Sequence, residues 1–221
     1  MSERILAVDT THEFGSLALV EGERVLEEVL LHARDGFGHV LYGHLESLLK
    51  RHGFAVSDMD AFAAAAGPGS FTGVRIGLAA VKGLAEAAGK PVVGVGNLEA
   101  IASFGSAALR AVVLDARRGE IYGAVFDAAG RVVVPQSVGR FADWLAGLPR
   151  GDLEFLSTDL TPFLPLIAGA RTTSVPRALA AAVGRIALER LRQGRACDPA
   201  ALDANYVRRS DAELFWSEPR R

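Results

Sequence analysis

A carboxylate and two hydroxyl groups follow one another at the end of the first predicted strand. Asp9, Thr10 and Thr11 come directly after the apolar residues 5–8, and Ser16 stands across the next turn. Oxygen ligands of this kind suit Mg²⁺ and its phosphate partners. The same residue types also form ordinary turns, because their side chains hydrogen-bond to nearby backbone. The spacing therefore leaves open a phosphate and metal site or a structural turn.

A glycine-rich segment, residues 67–75 with the sequence GPGSFTGVR, separates an apolar strand from a predicted helix. Glycine allows sharp turns and a close approach of backbone to a ligand, and free N–H groups at a helix start can bind an anion. The segment is not a P-loop, because no Gly-Lys-Ser or Gly-Lys-Thr ends it. Ser70 or Thr72 is predicted to cap the helix. The alternative interpretation is a strained helix entry built for packing.

A second strand-end aspartate, Asp115, mirrors Asp9 in the second half of the chain. Its neighbours are Arg117 and Arg118, which could form a salt bridge within the turn or bind an anion. Asp9, Thr10, Thr11 and Asp115 are therefore the candidate nucleotide- or phosphate-binding residues.

The histidines do not predict a metal site. His39 and His44 are five residues apart, which places them about 140° apart on a helix. The sequence has no H-E-x-x-H motif, which would place two histidines on one helix face.

The predicted helix 72–88 carries small residues along one side. At about 100° per residue they fall within an arc of about 120°; they are Gly73, Gly77, Ala80, Gly83 and Ala87. Glycine inside a helix costs about 1 kcal/mol relative to alanine, so close packing is expected to offset that cost. The pattern leaves open whether the packed segment belongs to this chain or to another protein.

Hydrophobic periodicity predicts an α/β fold made of two ribonuclease H-like lobes. The first predicted set comprises strands 5–10, 14–20, 24–31, 60–66 and 91–95, helices 39–52 and 72–88, and a short helix capped by Asn97. The second set comprises strands 111–115, 120–127, 131–135, 153–157 and 171–175, a short helix 141–148 and a helix 176–193 that starts at Pro176. We predict an N-terminal lobe, 1–105, and a smaller, degenerate lobe, 106–221. The pattern leaves open whether the last residues pack with the second lobe or return to pack on the first.

Composition narrows the class of protein. Half of the 221 residues are hydrophobic, and the formal net charge is −2, so no bulk positive field holds nucleic acid. Residues 171–221 carry ten arginines and six acids, which predicts a solvated helix face or a patch for an acidic partner or RNA. A single cysteine, Cys197, excludes an intrachain disulfide. The absence of a signal-peptide pattern and of a long apolar stretch predicts a cytoplasmic protein without a membrane partner.

With these motifs in hand, the chain resembles the TsaB family, also called YeaZ. The most specific match is residues 67–77; the others are residues 5–10, 16–19, His39, 115–117, 120–122 and 206–208. The resemblance implies two lobes of the actin and sugar-kinase superfamily, the second degenerate. It implies a non-catalytic subunit that binds the catalytic paralogue TsaD and cooperates with the ATPase TsaE. Together these transfer threonylcarbamoyl from its adenylate to the tRNA adenosine beside the anticodon.

The resemblance also implies where partners bind. Family members alone tend to form homodimers through the first two helices of the N-terminal lobe. Binding of tRNA is expected to be indirect, through the assembled complex. ATP or ADP and a metal are expected on partner subunits, with no cofactor required by this chain. The implied partner-binding residues are His39, Tyr42, Leu45, Thr72, Gly73, Val74, Arg75, Gly77, Ala80 and Val81.

Two enzyme classes compete with the scaffold interpretation. An ATP-dependent kinase-like enzyme of the same superfamily needs phosphate loops in both lobes, and the second predicted lobe has no Gly-Gly pair or comparable loop. A metallopeptidase needs a metal pair. The catalytic paralogue binds its metal with an H-x-x-x-H pair, whereas Gly43 stands four residues after His39 here. That departure agrees with a lost metal site.

Overall fold

Two five-stranded sheets form the framework of the protein in a computed structural model, which describes residues 2–33 and 36–207. The first sheet contains β1 (Arg4–Asp9), β2 (Phe14–Glu21), β3 (Arg24–His32), β4 (Ala61–Ala65) and β5 (Val92–Val95), in the order β3-β2-β1-β4-β5. The second contains β6 (Leu109–Arg117), β7 (Glu120–Asp127), β8 (Val132–Arg140), β9 (Leu153–Ser157) and β10 (Arg171–Ser174), in the order β10-β9-β6-β7-β8. In both sheets three antiparallel strands are followed by two parallel ones. The repeat confirms the predicted α/β fold of two ribonuclease H-like lobes.

In the described part of the chain, five α-helices cover the sheets: α1 (Leu41–Arg51), α2 (Phe71–Ala88), α3 (Asn97–Ala102), α4 (Phe141–Ala146) and α5 (Ala180–Arg192). Helices α1 and α2 cover one face of the first sheet, where Leu6, Val8 and Leu17 are fully buried. Helix α3 packs mainly on one face of the second sheet, and α4 packs on the other. No helix among the described residues is both long and apolar enough to cross a membrane.

Helix α5 packs on the first sheet although it follows the second sheet in the sequence. Its Val183 and Leu188 share an apolar cluster with Ile5 and Val20 of the opposite face of that sheet. The prediction assigned residues 106–221 to the second lobe and allowed only the last residues to return. The return begins earlier, at the start of α5, so the first lobe is built from both ends of the chain.

The start of α5 corrects one predicted element. Pro176 is not its first residue, because the helix begins at Ala180. The hydroxyl oxygen of Ser16 accepts the N–H groups of Leu179 and Ala180, at 3.0 and 2.9 Å. A side chain on β2 therefore satisfies the free N–H groups at this helix start, which would otherwise be buried without partners. Ser16, considered above as part of a phosphate site, has this structural role.

Strands β7 and β9 have their predicted bounds, whereas other elements shift by a few residues. Helix α1 begins at Leu41 because a 3₁₀ turn, Phe37–His39, precedes it. Strand β8 continues beyond Pro135, where the prediction ended it. It is an edge strand, so a proline without an N–H can be tolerated there.

A strap, residues 201–207, runs between the two lobes. Leu202 is buried with the core of the first lobe, and the N–H of Asn205 donates to the carbonyl of Ala66 at 2.7 Å. The amide group of Asn205 exchanges two hydrogen bonds, of 2.6 and 2.9 Å, with Gln136 of β8. The strap therefore bonds to both lobes. Arg208, the end of the motif at 206–208, lies outside the described residues.

Candidate functional site

The predicted phosphate residues of the first lobe are buried. Asp9, Thr10 and Thr11 are each at most 1% exposed. Oδ1 of Asp9 accepts hydrogen bonds from the N–H and the hydroxyl of Thr11, at 2.9 and 2.6 Å. The hydroxyl of Thr10 donates to the carbonyl of Gly73 at 2.7 Å. These groups bond to one another and to the glycine-rich segment instead of facing solvent, except for Oδ2 of Asp9, which is buried without a hydrogen-bond partner among the described residues.

The glycine-rich segment packs directly on the end of β1. The N–H of Ser70 donates to the carbonyl of Thr11 at 2.6 Å. A Cβ atom on Gly73 would overlap the carbonyl oxygen of Thr10, and one on Gly69 would crowd that of Thr11. Glycine is needed at both positions because two backbones meet there. The structure thus supports the packing interpretation of this segment, and Ser70 caps α2 by accepting the N–H of Gly73 at 3.3 Å.

Asn97 ties this end of β1 to the glycine-rich segment. It was predicted to cap the short helix α3, but Gly96 occupies the cap position. The Asn97 side chain instead accepts the N–H of Gly67 at 2.9 Å and donates to the hydroxyl of Thr11. Sequence reasoning missed this role, since nothing in the local pattern pairs Asn97 with residues so distant in the chain.

His12 is hydrogen-bonded through its Nδ1 atom. The hydroxyl of Thr11 has a single proton, which it donates to Asp9. Nδ1 of His12, 2.9 Å from that hydroxyl, therefore acts as the donor. Nε2 is buried without a hydrogen-bond partner among the described residues. Burial lowers the pKa of His12, and the nearby carboxylate of Asp9 opposes that shift.

This burial predicts a loss of stability in mild acid. The pKa of His12 is lowered in the folded protein and is about 6.5 in the unfolded chain. Below pH 6.5 the unfolded chain therefore binds the extra proton, so the free energy of unfolding falls as the pH falls, by up to about 1.4 kcal/mol per pH unit. We expect His12→Asn to flatten this slope in denaturant unfolding between about pH 5 and 6.5. The exposed control, His44→Asn, should keep it, and an unchanged slope in His12→Asn would assign the pH dependence to other groups.

A cleft of about 830 Å³ separates the lobes on the side of the glycine-rich segment. Asp115 lies exposed on its wall, and Oδ1 accepts the N–H of Arg117 at 2.7 Å. Arg117 and Arg118 adopt left-handed backbone, with φ of 62° and 57°. Asp115 thus mirrors Asp9 in topology but not in burial. The charged residues of the lining are balanced, and they are Glu13, Asp115, Arg117, Arg118, Asp159 and Arg177.

The predicted partner-binding residues divide into two groups. Exposed ones are His39, Tyr42, Thr72 and Arg75. Buried ones are Leu45, Gly73, Val74, Gly77, Ala80 and Val81.

The buried group corrects the idea that the small face of α2 receives a partner helix. A Cβ atom on Gly77 would lie 2.7 Å from Oγ1 of Thr10 and 3.8 Å from Cγ1 of Val8. The small residues allow α2 to approach β1 of its own lobe, which offsets the cost of glycine in a helix. Gly83, also in the predicted arc, is exposed with no atom near its Cβ position.

No cluster of three or more His, Cys, Asp or Glu side chains that could hold a metal ion occurs within 2–33 and 36–207.

The sequence of this chain is similar to proteins of tRNA threonylcarbamoyladenosine synthesis. Residues 33–202 match the family described as TsaD, tRNA N6-adenosine threonylcarbamoyltransferase. A tRNA threonylcarbamoyladenosine biosynthesis protein TsaB from Bacillus subtilis is 30% identical, over 97% of this chain and 98% of that protein. The TsaB protein of Escherichia coli is 38% identical over 56% of this chain and 54% of its own length.

Solved structures agree with the sequence relatives. YeaZ from Pseudomonas aeruginosa superposes with a TM-score of 0.77 and 26% identity, over 92% of this chain and 99% of that chain. A second Pseudomonas aeruginosa structure, described as an uncharacterized protein with similarity to peptidase YeaZ, gives a TM-score of 0.81 at 26% identity, over 93% and 100% of the two chains. This chain therefore belongs to the TsaB (YeaZ) family of tRNA threonylcarbamoyladenosine biosynthesis proteins.

Proposed function

We propose that this chain is the non-catalytic scaffold subunit of the assembly that transfers threonylcarbamoyl to the tRNA adenosine beside the anticodon. Its role is to bind a TsaD-type catalytic paralogue. A TsaE-type ATPase is a further partner, tRNA is engaged through the assembled complex, and the chain alone forms a homodimer. ATP or ADP and the metal ion belong to the partner subunits, and this chain requires no cofactor.

One observation carries the non-catalytic role, namely that the glycine-rich segment closes the end of β1. A phosphoryl-transfer enzyme uses its loops and carboxylates to hold metal-bound phosphate in an open site. Here Asp9 is 1% exposed and bonds to Thr11. The N–H of Ser70, which an anion would need, already bonds to the carbonyl of Thr11. The motif is used to stabilise the lobe, which supports a scaffold.

The outer faces of α1 and α2 support a docking role. Both helices cover the same face of the first sheet, so their outward sides face the same way. Tyr42 of α1 is 57% exposed, and Arg75 of α2 is exposed as well. Tyrosine and arginine are among the residues that dominate binding energy at protein interfaces. The four exposed residues of the predicted set, His39, Tyr42, Thr72 and Arg75, are the part of it that can meet a partner.

Reconstitution tests the proposal. We expect the purified chain alone to turn over ATP at less than about 1 per second, below the usual enzyme range. Transfer of threonylcarbamoyl to tRNA should require the TsaD-type and TsaE-type proteins and should fall sharply when this chain is left out. Asp115→Asn is the informative variant, because Asp115 is the strand-end carboxylate exposed in the cleft. It should leave the reconstituted rate unchanged.

The kinase-like alternative predicts the opposite pattern. The decisive result would be brisk ATP turnover by the chain alone, after TsaD-type and TsaE-type contaminants are removed. If Asp115→Asn abolished that turnover, the chain would be an enzyme and not a scaffold. Reconstituted transfer that proceeds equally well without this chain would also contradict the proposal.

A further inference from the structure

An arginine in the first turns of α2 is held from two sides. The guanidinium carbon of Arg75 lies 3.8 Å from the centre of the Phe71 ring. Its Nε donates to the hydroxyl of Tyr206 in the strap at 3.2 Å. The rings of Phe71 and Tyr206 are themselves 4.8 Å apart between centroids. These contacts fix the plane of the guanidinium group, so less side-chain freedom remains to be lost when it binds something.

The same guanidinium has no acidic partner in the part of the chain that the structure describes. An arginine side chain has five N–H donors, and the hydrogen bond to Tyr206 uses one of the five on Arg75. Arg75 is exposed, and no carboxylate among residues 2–33 and 36–207 forms an ion pair with it. Several other arginines do pair with carboxylates, and they are Arg4, Arg51, Arg131, Arg171, Arg190 and Arg192. Within the described residues, the oriented arginine thus has no ion pair.

The surface around Arg75 allows another protein to come close. Thr72, Ala79 and Gly83 on the same helix are exposed, small and uncharged. Tyr206 is 46% exposed beside them and offers an aromatic surface. A planar arginine flanked by an aromatic ring and small side chains suits two parallel N–H bonds to a carboxylate.

We propose that Arg75, stacked on Phe71 and held by Tyr206, is the receptor for an aspartate or glutamate side chain of the TsaD-type partner. This inference rests on the proposed function and names the chemistry of its docking face. A protein carboxylate is favoured over RNA phosphate by the charge of the chain. The whole chain has a formal net charge of −2, so no bulk positive field attracts a polyanion, whereas a single ion pair needs no such field.

The test measures the affinity of the whole chain for the purified TsaD-type partner at low and high ionic strength. We expect Arg75→Gln to weaken binding roughly 30-fold, as for a central interface arginine, and to reduce its salt dependence. Arg75→Lys keeps the charge but not the planar fork, so it should recover only part of the affinity. Tyr206→Phe keeps the ring contact and removes the orienting hydroxyl, and should cost about 2- to 10-fold. The control is Arg24→Gln, an exposed arginine of β3, which should bind as the unaltered chain does.

The outcomes separate this inference from the proposed function. Failure of the unaltered chain to bind the partner would overturn the proposed function itself. Binding that survives Arg75→Gln within about twofold, at both ionic strengths, would overturn the carboxylate receptor and leave the scaffold role standing. Arg75→Gln could instead weaken binding of the assembled complex to tRNA while leaving binding of this chain to its protein partner unchanged. That result would show that Arg75 contacts RNA, and it would also overturn the inference. Melting temperatures of the variants, expected to match that of the unaltered chain, check that the fold is retained.

Discussion

Gly73→Ala is expected to lower the free energy of unfolding by about 3 kcal/mol, near the upper end of the usual cost of overpacking. The added Cβ atom would overlap the backbone carbonyl oxygen of Thr10. Thr10 directly follows β1, the middle strand of the first sheet, so this backbone oxygen cannot move aside as a flexible side chain would. The measurement is chemical denaturation of the purified variant, with the loss read from the midpoint at constant slope.

Gly83→Ala is the matched control, because it makes the same change in the same helix. No atom lies near the Cβ position of Gly83, which is exposed. Here the change should raise stability by up to about 1 kcal/mol through helix propensity. If Gly73→Ala left stability unchanged but weakened binding of the TsaD-type partner, the small-residue face would belong to an interface after all.

Removal of residues 179–221 is expected to prevent the first lobe from folding. Helix α5 covers one face of the first sheet, where Val183 and Leu188 meet Ile5 and Val20. Each of these four side chains contributes about 1.5–3 kcal/mol when fully buried, or roughly 6–12 kcal/mol together. That is comparable to the whole stability of a typical domain, about 5–15 kcal/mol.

Hydrogen exchange and fluorescence would show the effect on each lobe of the fragment 1–178. Amides of β1 and β4 should exchange without protection, and adding the segment 179–221 as a separate polypeptide should restore protection. Trp144, the only tryptophan of the fragment, packs against Phe141 in the second lobe and reports on that lobe as an internal control. Full protection of β1 in the fragment alone would show that α5 is dispensable.

The elements of both sheets could be predicted because their signals are local. Apolar runs bounded by turn residues marked the strands, and β9 was predicted with the bounds it has. Leu41, Leu45 and Leu48 are three or four residues apart within the predicted helix 39–52, and all three are buried as a periodic apolar stripe requires. The small residues of α2 were also recognised as a sign of close packing.

What could not be predicted depends on contacts between distant residues. The sequence pattern of α2 could not predict that its small-residue face packs on β1. Periodicity indicates that a helix face is buried, but it does not identify the segment that covers it. Asn97 and Thr11 are 86 residues apart, and Ser16 and Ala180 are 164 apart. The Ser16 contact caps a helix from outside its own sequence, which is why Pro176 was mistaken for the helix start. The burial of Asp9 could not be predicted for the same reason. The glycine-rich segment, residues 67–75, covers Asp9 only in the folded chain.

The return of α5 to the first sheet sets the order in which the lobes can be completed during synthesis. Strand β5 ends at Val95, whereas α5 ends at Arg192. At about 5–20 residues per second, the ribosome needs on the order of 5–20 s to make the intervening chain. During that interval the second sheet, continuous from Leu109 to Ser174, can form while the α5 face of the first remains bare. The nascent protein is therefore expected to present an apolar sheet surface to chaperones until α5 leaves the ribosome.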